Sequence, residues 1–180
     1  PDDKKKRFID EFKVSAYEAT ILVSDIETAK YFEEVVAKMG KNRDMKLAVN
    51  WITGELFAVL NNKNLEISQS PISAKNLAKL INLIKNGTIS GKIAKTIFEL
   101  MMDGDKDPQV IVEEKGLKQE SDPKALEALI DKIIDNNREK AIEYKNGKEK
   151  LFGFFVGQAM KVSGGKANPQ LINEILKKKL

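Results

Sequence analysis

Apolar residues recur at three- and four-residue intervals in segment after segment of this chain, each bounded by helix start and stop signals. That pattern commits the chain to helices. Ser24 and Glu27 form an S-x-x-E capping box for a helix ending at Gly40, with Ile26, Ala29, Val36 and Met39 on one side. A second long helix is expected from Asp44 to Asn61-Asn62, carrying Met45, Ala48, Val49, Ile52, Leu56, Val59 and Leu60. Further helices are expected over Ser73–Asn86 and Ser90–Met102, and after the Asp-Pro caps at 107–108 and 122–123. Lys5–Phe12, Ser15–Val23, Arg138–Lys145, the stretch after Lys148 and the one opened by Asn168-Pro169 complete the set. The two strand-like stretches, Asn64–Ile67 and Val110–Val112, are too short to anchor a sheet. The expected fold is all-α, as two small helical bundles joined by a short linker. A helical domain covers 1–114, a linker 115–122, where periodicity lapses, and a tail domain 123–180.

Charge is unevenly placed. Lys145 to Leu180 hold eight Lys against two Glu, a net of +6, which leaves −2 on residues 1–144 out of the total of +4. Within this basic block, Leu151, Phe152, Phe155, Val156, Ala159 and Met160 read as a core stripe. Lys150, Phe154, Gln158 and Lys161 form a different row at spacings of 4, 4 and 3. An aromatic ring flanked by lysines and an amide suits an exposed base and its phosphates; alternatively, Phe154 serves a second core face. Gly153 and Gly157 sit four apart, which predicts close helix–helix contact or else room for a phosphate or ribose.

The turn SGGKANP, Ser163 to Pro169, is the best local candidate for an anion. Gly164 and Gly165 can present successive N–H groups outward, Lys166 adds charge, and Asn168 caps a helix with its positive dipole end. The same residues could be a tight connection only. Ser90-Gly91-Lys92 is a weaker echo. Neither place has Walker A spacing, so nucleoside triphosphate binding is unsupported.

The chain has no His and no Cys, which removes the commonest general base, the thiol nucleophile and the standard zinc ligands. No stretch reaches the roughly 20 apolar residues of a membrane span. Lack of Cys fits a reducing cytoplasm. Beginning at Pro1 without Met, the chain reads as an excised piece of something longer.

YKNGKEKLFGFFVGQAMKVSGGKANPQLINEILKKKL, from Tyr144, resembles the tail of the B subunits of the tRNA-dependent amidotransferases that act on Glu-tRNA(Gln) and Asp-tRNA(Asn). RFIDEFKVSAYEATIL (Arg7–Leu22), YFEEVV (Tyr31–Val36), NWITGEL (Asn50–Leu56) and PQVIVEEKGL (Pro108–Leu117) resemble further segments of that family, in its order. The resemblance implies an ATP-dependent amidation of a misacylated tRNA, with A and C subunits as partners. It implies ATP and a divalent metal such as Mg in a cradle domain that this chain lacks. The parts present here resemble the helical domain and the YqeY-like tail, which are implied to grip tRNA(Gln) or tRNA(Asn) and to be inactive alone. The family commonly has TKGKANP where this chain has Gly164. The expected RNA-binding set is Lys148, Lys150, Phe154, Gln158, Lys161, Gly164, Gly165, Lys166 and Asn168, with no catalytic residue and no metal ligand. A helical module docking onto the other subunits or a synthetase is the alternative.

Overall fold

The structure, a computed structural model, describes residues 2–180. Among them the regular elements are helical, and the one β-type contact is an isolated parallel bridge between Glu120 and Ala167. The fold class is therefore all-α. The helices are α1 (Asp2–Phe12), α2 (Ala16–Leu22), α3 (Ile26–Met39), α4 (Met45–Asn50), α5 (Phe57–Asn62), α6 (Ala74–Lys85), α7 (Gly91–Met101), α8 (Pro108–Lys115), α9 (Pro123–Asn136), α10 (Arg138–Lys145), α11 (Leu151–Val162) and α12 (Pro169–Lys179). The chain divides into two compact units. One holds the chain up to Asn86 together with Lys95–Lys115; the other holds Gly87–Ala94 together with Gly116–Leu180.

In the first unit, the rings of Phe8, Phe12 and Phe32 lie 5.3–5.5 Å apart and lock α1 onto α3. Over that cluster Glu33 receives Arg7 at 3.0 Å and Lys4 at 3.1 Å. Burial alone would raise the Glu33 carboxyl, but the two cations outweigh it and hold the group below the usual range. The Tyr31 hydroxyl donates to the Ile72 carbonyl at 2.8 Å, and burial pushes that phenol up.

Three expectations in this unit need correction. The α3 cap is Asp25, whose carboxylate accepts from the Thr28 N–H at 2.8 Å, so Ser24 and Glu27 do not form the box. A capping box does open α2, where Ser15 and Glu18 exchange backbone bonds. Ile26 is 69% exposed rather than part of the α3 core face, because it occupies the first position after the cap, away from Phe32, Val35 and Val36. The long second helix is interrupted: Trp51–Leu56 is a π-helical turn between α4 and α5. One extra residue per turn there still keeps Ile52, Leu56 and Leu60 buried, and seats Trp51 against Phe98 at 5.4 Å.

The second unit closes α9, α10, α11 and α12 around Leu126, Ile130, Ile133, Phe155, Ile172 and Leu176. Asp122 and Asn168 cap α9 and α12, each followed by proline at the first turn. Lys179 ends α12 by pairing with Glu127 at 3.1 Å and Asp131 at 2.7 Å, tying the last turn to α9.

Gly153 and Gly157 depart from expectation as well. A side chain at either position would meet nothing within 4 Å, and both are exposed. They do not serve close contact between helices. Their missing side chains lower the surface of α11.

Candidate nucleic-acid interface

Helix α11 presents Lys150, Gly153, Phe154, Gly157, Gln158 and Lys161 at steps of 3, 1, 3, 1 and 3 residues, which is one helical face. At 1.5 Å per residue the two lysines are about 16 Å apart along the axis. Between them lies a shallow strip floored by glycine backbone. Lys150 and Lys161 are exposed and Lys166 is half-buried, and none is in an ion pair among the described residues. Lys148 differs: its ammonium meets Glu143 at 2.8 Å, which offsets its charge locally.

Phe154 is half-buried. Its ring stands edge-on to Phe155 at 5.4 Å and packs against the tail core, and the Lys140 ammonium lies 3.8 Å from its centroid. Both readings of this residue therefore hold in part. It joins the core, and its remaining surface carries a cation supplied by α10. Nothing in the sequence spacing signalled Lys140, which lies fourteen residues upstream on another helix.

The SGGKANP turn does not offer open amides, contrary to the sequence reading. Gly164 N–H donates to the Lys161 carbonyl at 3.1 Å and Gly165 N–H to that of Met160 at 2.8 Å. With Gly164 at φ 64°, this is the Schellman closure of α11. Lys166 N–H donates to the Ser163 carbonyl and Ala167 N–H to the Ser163 hydroxyl, while Asn168 N–H reaches the Glu120 carbonyl at 2.9 Å. Every N–H from 164 to 168 is thus satisfied inside the protein. The Asn168 side chain is engaged too: its carbonyl oxygen accepts from Gln170 and Leu171 N–H, and its amide donates to Ser121 at 3.3 Å. The turn positions cations; it does not cradle a phosphate.

It also gathers a further cation. Ser90 Oγ donates to the Gly165 carbonyl at 3.3 Å, and a side chain at Gly165 would meet the Lys92 methylenes at 3.5 Å. The faint echo at Ser90-Gly91-Lys92 thus lies directly against the second glycine of the turn. Exposed Lys92 stands beside Lys166, although 74 positions separate them in sequence. Among the described residues, no group of three or more carboxylates is placed to hold a metal ion, so the metal implied for the cradle finds no ligand set here. No helix is long and apolar enough to cross a membrane, again among the described residues.

Similarity to known proteins covers these same elements. The family model described as the GatB domain matches residues 30–180. Over all 180 residues the chain is 96% identical to the B subunit of the aspartyl/glutamyl-tRNA(Asn/Gln) amidotransferase of Pelagibacter ubique (strain HTCC1062). It is 49% identical over 180 residues to the proteins of that name from Ehrlichia chaffeensis (strain ATCC CRL-10679 / Arkansas) and Coxiella burnetii (strain CbuG_Q212). In each comparison the whole of this chain is covered, while it spans 37–38% of the relative's length. Since the family model takes in α4 to α12 and all but the first turn of α3, the chain belongs to the GatB domain family.

Proposed function

We propose that this chain is the tRNA-holding part of the B subunit of an aspartyl/glutamyl-tRNA amidotransferase, and that the α11 face is where the RNA sits. The observation that carries this reading is the glycine strip at Gly153 and Gly157, open to solvent and bounded by Lys150, Phe154, Gln158 and Lys161. A helical glycine costs about 0.5–1 kcal/mol relative to alanine, and here no neighbour within the protein offsets it. A ligand that must approach the backbone does. A ribose-phosphate chain fits the strip, ammonium groups at both ends meet its charge, and the free edge of Phe154 accepts a base.

The mechanism on this reading is electrostatic capture followed by fit to shape. Lys92, Lys161 and Lys166 supply charge around the end of α11, while the Schellman turn fixes where those side chains start. With few phosphates neutralised, binding is moderate and strongly dependent on salt. The relatives' name supplies the substrate class, tRNA(Gln) or tRNA(Asn), and the assembly with A and C subunits in the cytoplasm. Amidation itself, with its ATP and metal, belongs to the part of the relatives this chain does not span, so the chain alone is inactive. ATP-dependent amidation by the isolated chain would refute that clause.

The test is the double substitution Lys161→Ala, Lys166→Ala, followed by gel-shift titration with tRNA at several salt concentrations. Affinity falls and the salt slope flattens by roughly 1 for each phosphate that no longer meets a cation. An unchanged affinity and slope would remove the patch from the interface.

A further inference from the structure

The first unit carries a feature of opposite charge. A groove of about 810 Å³ opens between the start of α3, the α5 helix and the segment that follows it. Its floor is apolar, made by Phe57, Leu60, Leu65 and Ile67, and exposed Ile26 stands at its edge. A second groove of about 320 Å³ continues along α3 and shares Glu27 and Ile67 with the first. Asp25, Glu27 and Glu66 line the first stretch, and Glu34 lines the second. Lys30 is the one ammonium on this lining, and it already pairs with Glu27 at 3.6 Å.

Four carboxylates against one ammonium make this lining −3 in a chain whose net charge is +4. Such a surface repels a phosphate backbone. From Ser24 to Glu34 the groove follows ten residues of chain, about 15 Å of helix, which an extended segment of roughly five residues can span. An apolar floor with an acidic rim asks for large apolar side chains flanked by cations.

We propose that this groove is a docking site for a short basic segment of a partner protein, anchored by one or two large apolar side chains on Phe57, Leu60, Leu65 and Ile67. Lysine or arginine beside those anchors meets Glu27, Glu34 and Glu66. The site is independent of the RNA reading, since it lies in the other unit and selects the opposite charge.

Because the chain has no cysteine, Asn61→Cys in the groove lining accepts a single environment-sensitive fluorophore on the full chain. The probes are a synthetic amphipathic Leu/Lys peptide and its Leu/Glu counterpart. The Leu/Lys peptide shifts the emission saturably and the Leu/Glu peptide does not. Glu27→Gln with Glu66→Gln weakens the former about tenfold, with circular dichroism and thermal unfolding confirming the fold. The Lys161→Ala, Lys166→Ala variant binds the peptide as before, so failure of the RNA reading and failure of this one give different results. Equal binding of the two peptides, indifference to the carboxamide pair, a silent fluorophore, or displacement of the peptide by tRNA would each overturn the proposal.

Discussion

Replacing Gly153 and Gly157 together by alanine separates what α11 does for the fold from what it does for a ligand. Both positions are helical, neither has a positive φ, and a Cβ at either meets nothing within 4 Å. The substitution therefore adds no strain. It removes two residues of poor helix propensity from an exposed face, worth about 0.5–1 kcal/mol each, or about 1–2 kcal/mol for the pair. Gly153 lies in the first turn of α11 and contributes toward the lower end of that range. In a small domain this gain raises the unfolding temperature by several degrees. Each methyl group also fills the strip where a sugar-phosphate chain would approach the backbone, so tRNA binding weakens as stability rises. Gly157→Leu extends the test, keeping the fold while covering more of the strip. Thermal and urea unfolding measured beside tRNA gel shifts decides the matter. Lower stability would mean the glycines do contact another backbone, refuting the geometry. Higher stability with unchanged tRNA affinity would leave the fold intact and refute the strip as an RNA surface.

Other expectations can be checked in the same assays. Gly164→Lys places a side chain at φ 64° and costs about 1 kcal/mol in urea unfolding, while its added charge steepens the salt dependence of tRNA binding. Ser15→Ala removes one half of the α2 capping box and lowers stability by about 1 kcal/mol, measured as a shift in urea midpoint. The Lys79 hydrogen bond at 2.6 Å holds the Asp107 carboxyl below its usual range. Its folded pKa is below the unfolded one, so the pair's contribution is present above about pH 4 and is lost as pH falls through the folded value. Asp107→Asn is therefore less stable than the parent at neutral pH, and the gap closes in acid; a gap that persists at low pH would refute the ion pair's part in it.

The helices were legible because caps and spacing speak locally. Asp44, Ser73, Asp122 and Asn168 each stand where a cap was expected, and Asp-Pro and Asn-Pro pairs mark α8, α9 and α12. The π-helical turn at Trp51–Leu56 was not legible, since Ile52, Leu56 and Leu60 satisfy a four-residue spacing with or without it. The candidate site was legible in its residues and misread in its backbone. Glycines that could aim N–H groups outward turn out to close a helix end, because the orphan carbonyls of α11 claim those donors first. Nothing in Gly153 and Gly157 themselves says whether a helical glycine meets a neighbour or solvent. Nor could spacing bring Lys92 to Gly165 or Lys140 to Phe154, since both meetings are made by tertiary structure.

The short stretch Gly87–Ala94 has a practical consequence for anyone dissecting this protein. It is claimed by the later part of the chain, through Gln119 N–H to the Thr88 carbonyl and Ser90 to Gly165, although it precedes α8 in order. A cut anywhere between 95 and 115 hands those eight residues to the wrong piece. The C-terminal product would lose the lysine that flanks its turn, and weak RNA binding by such a truncation would report faulty scissors rather than a missing function.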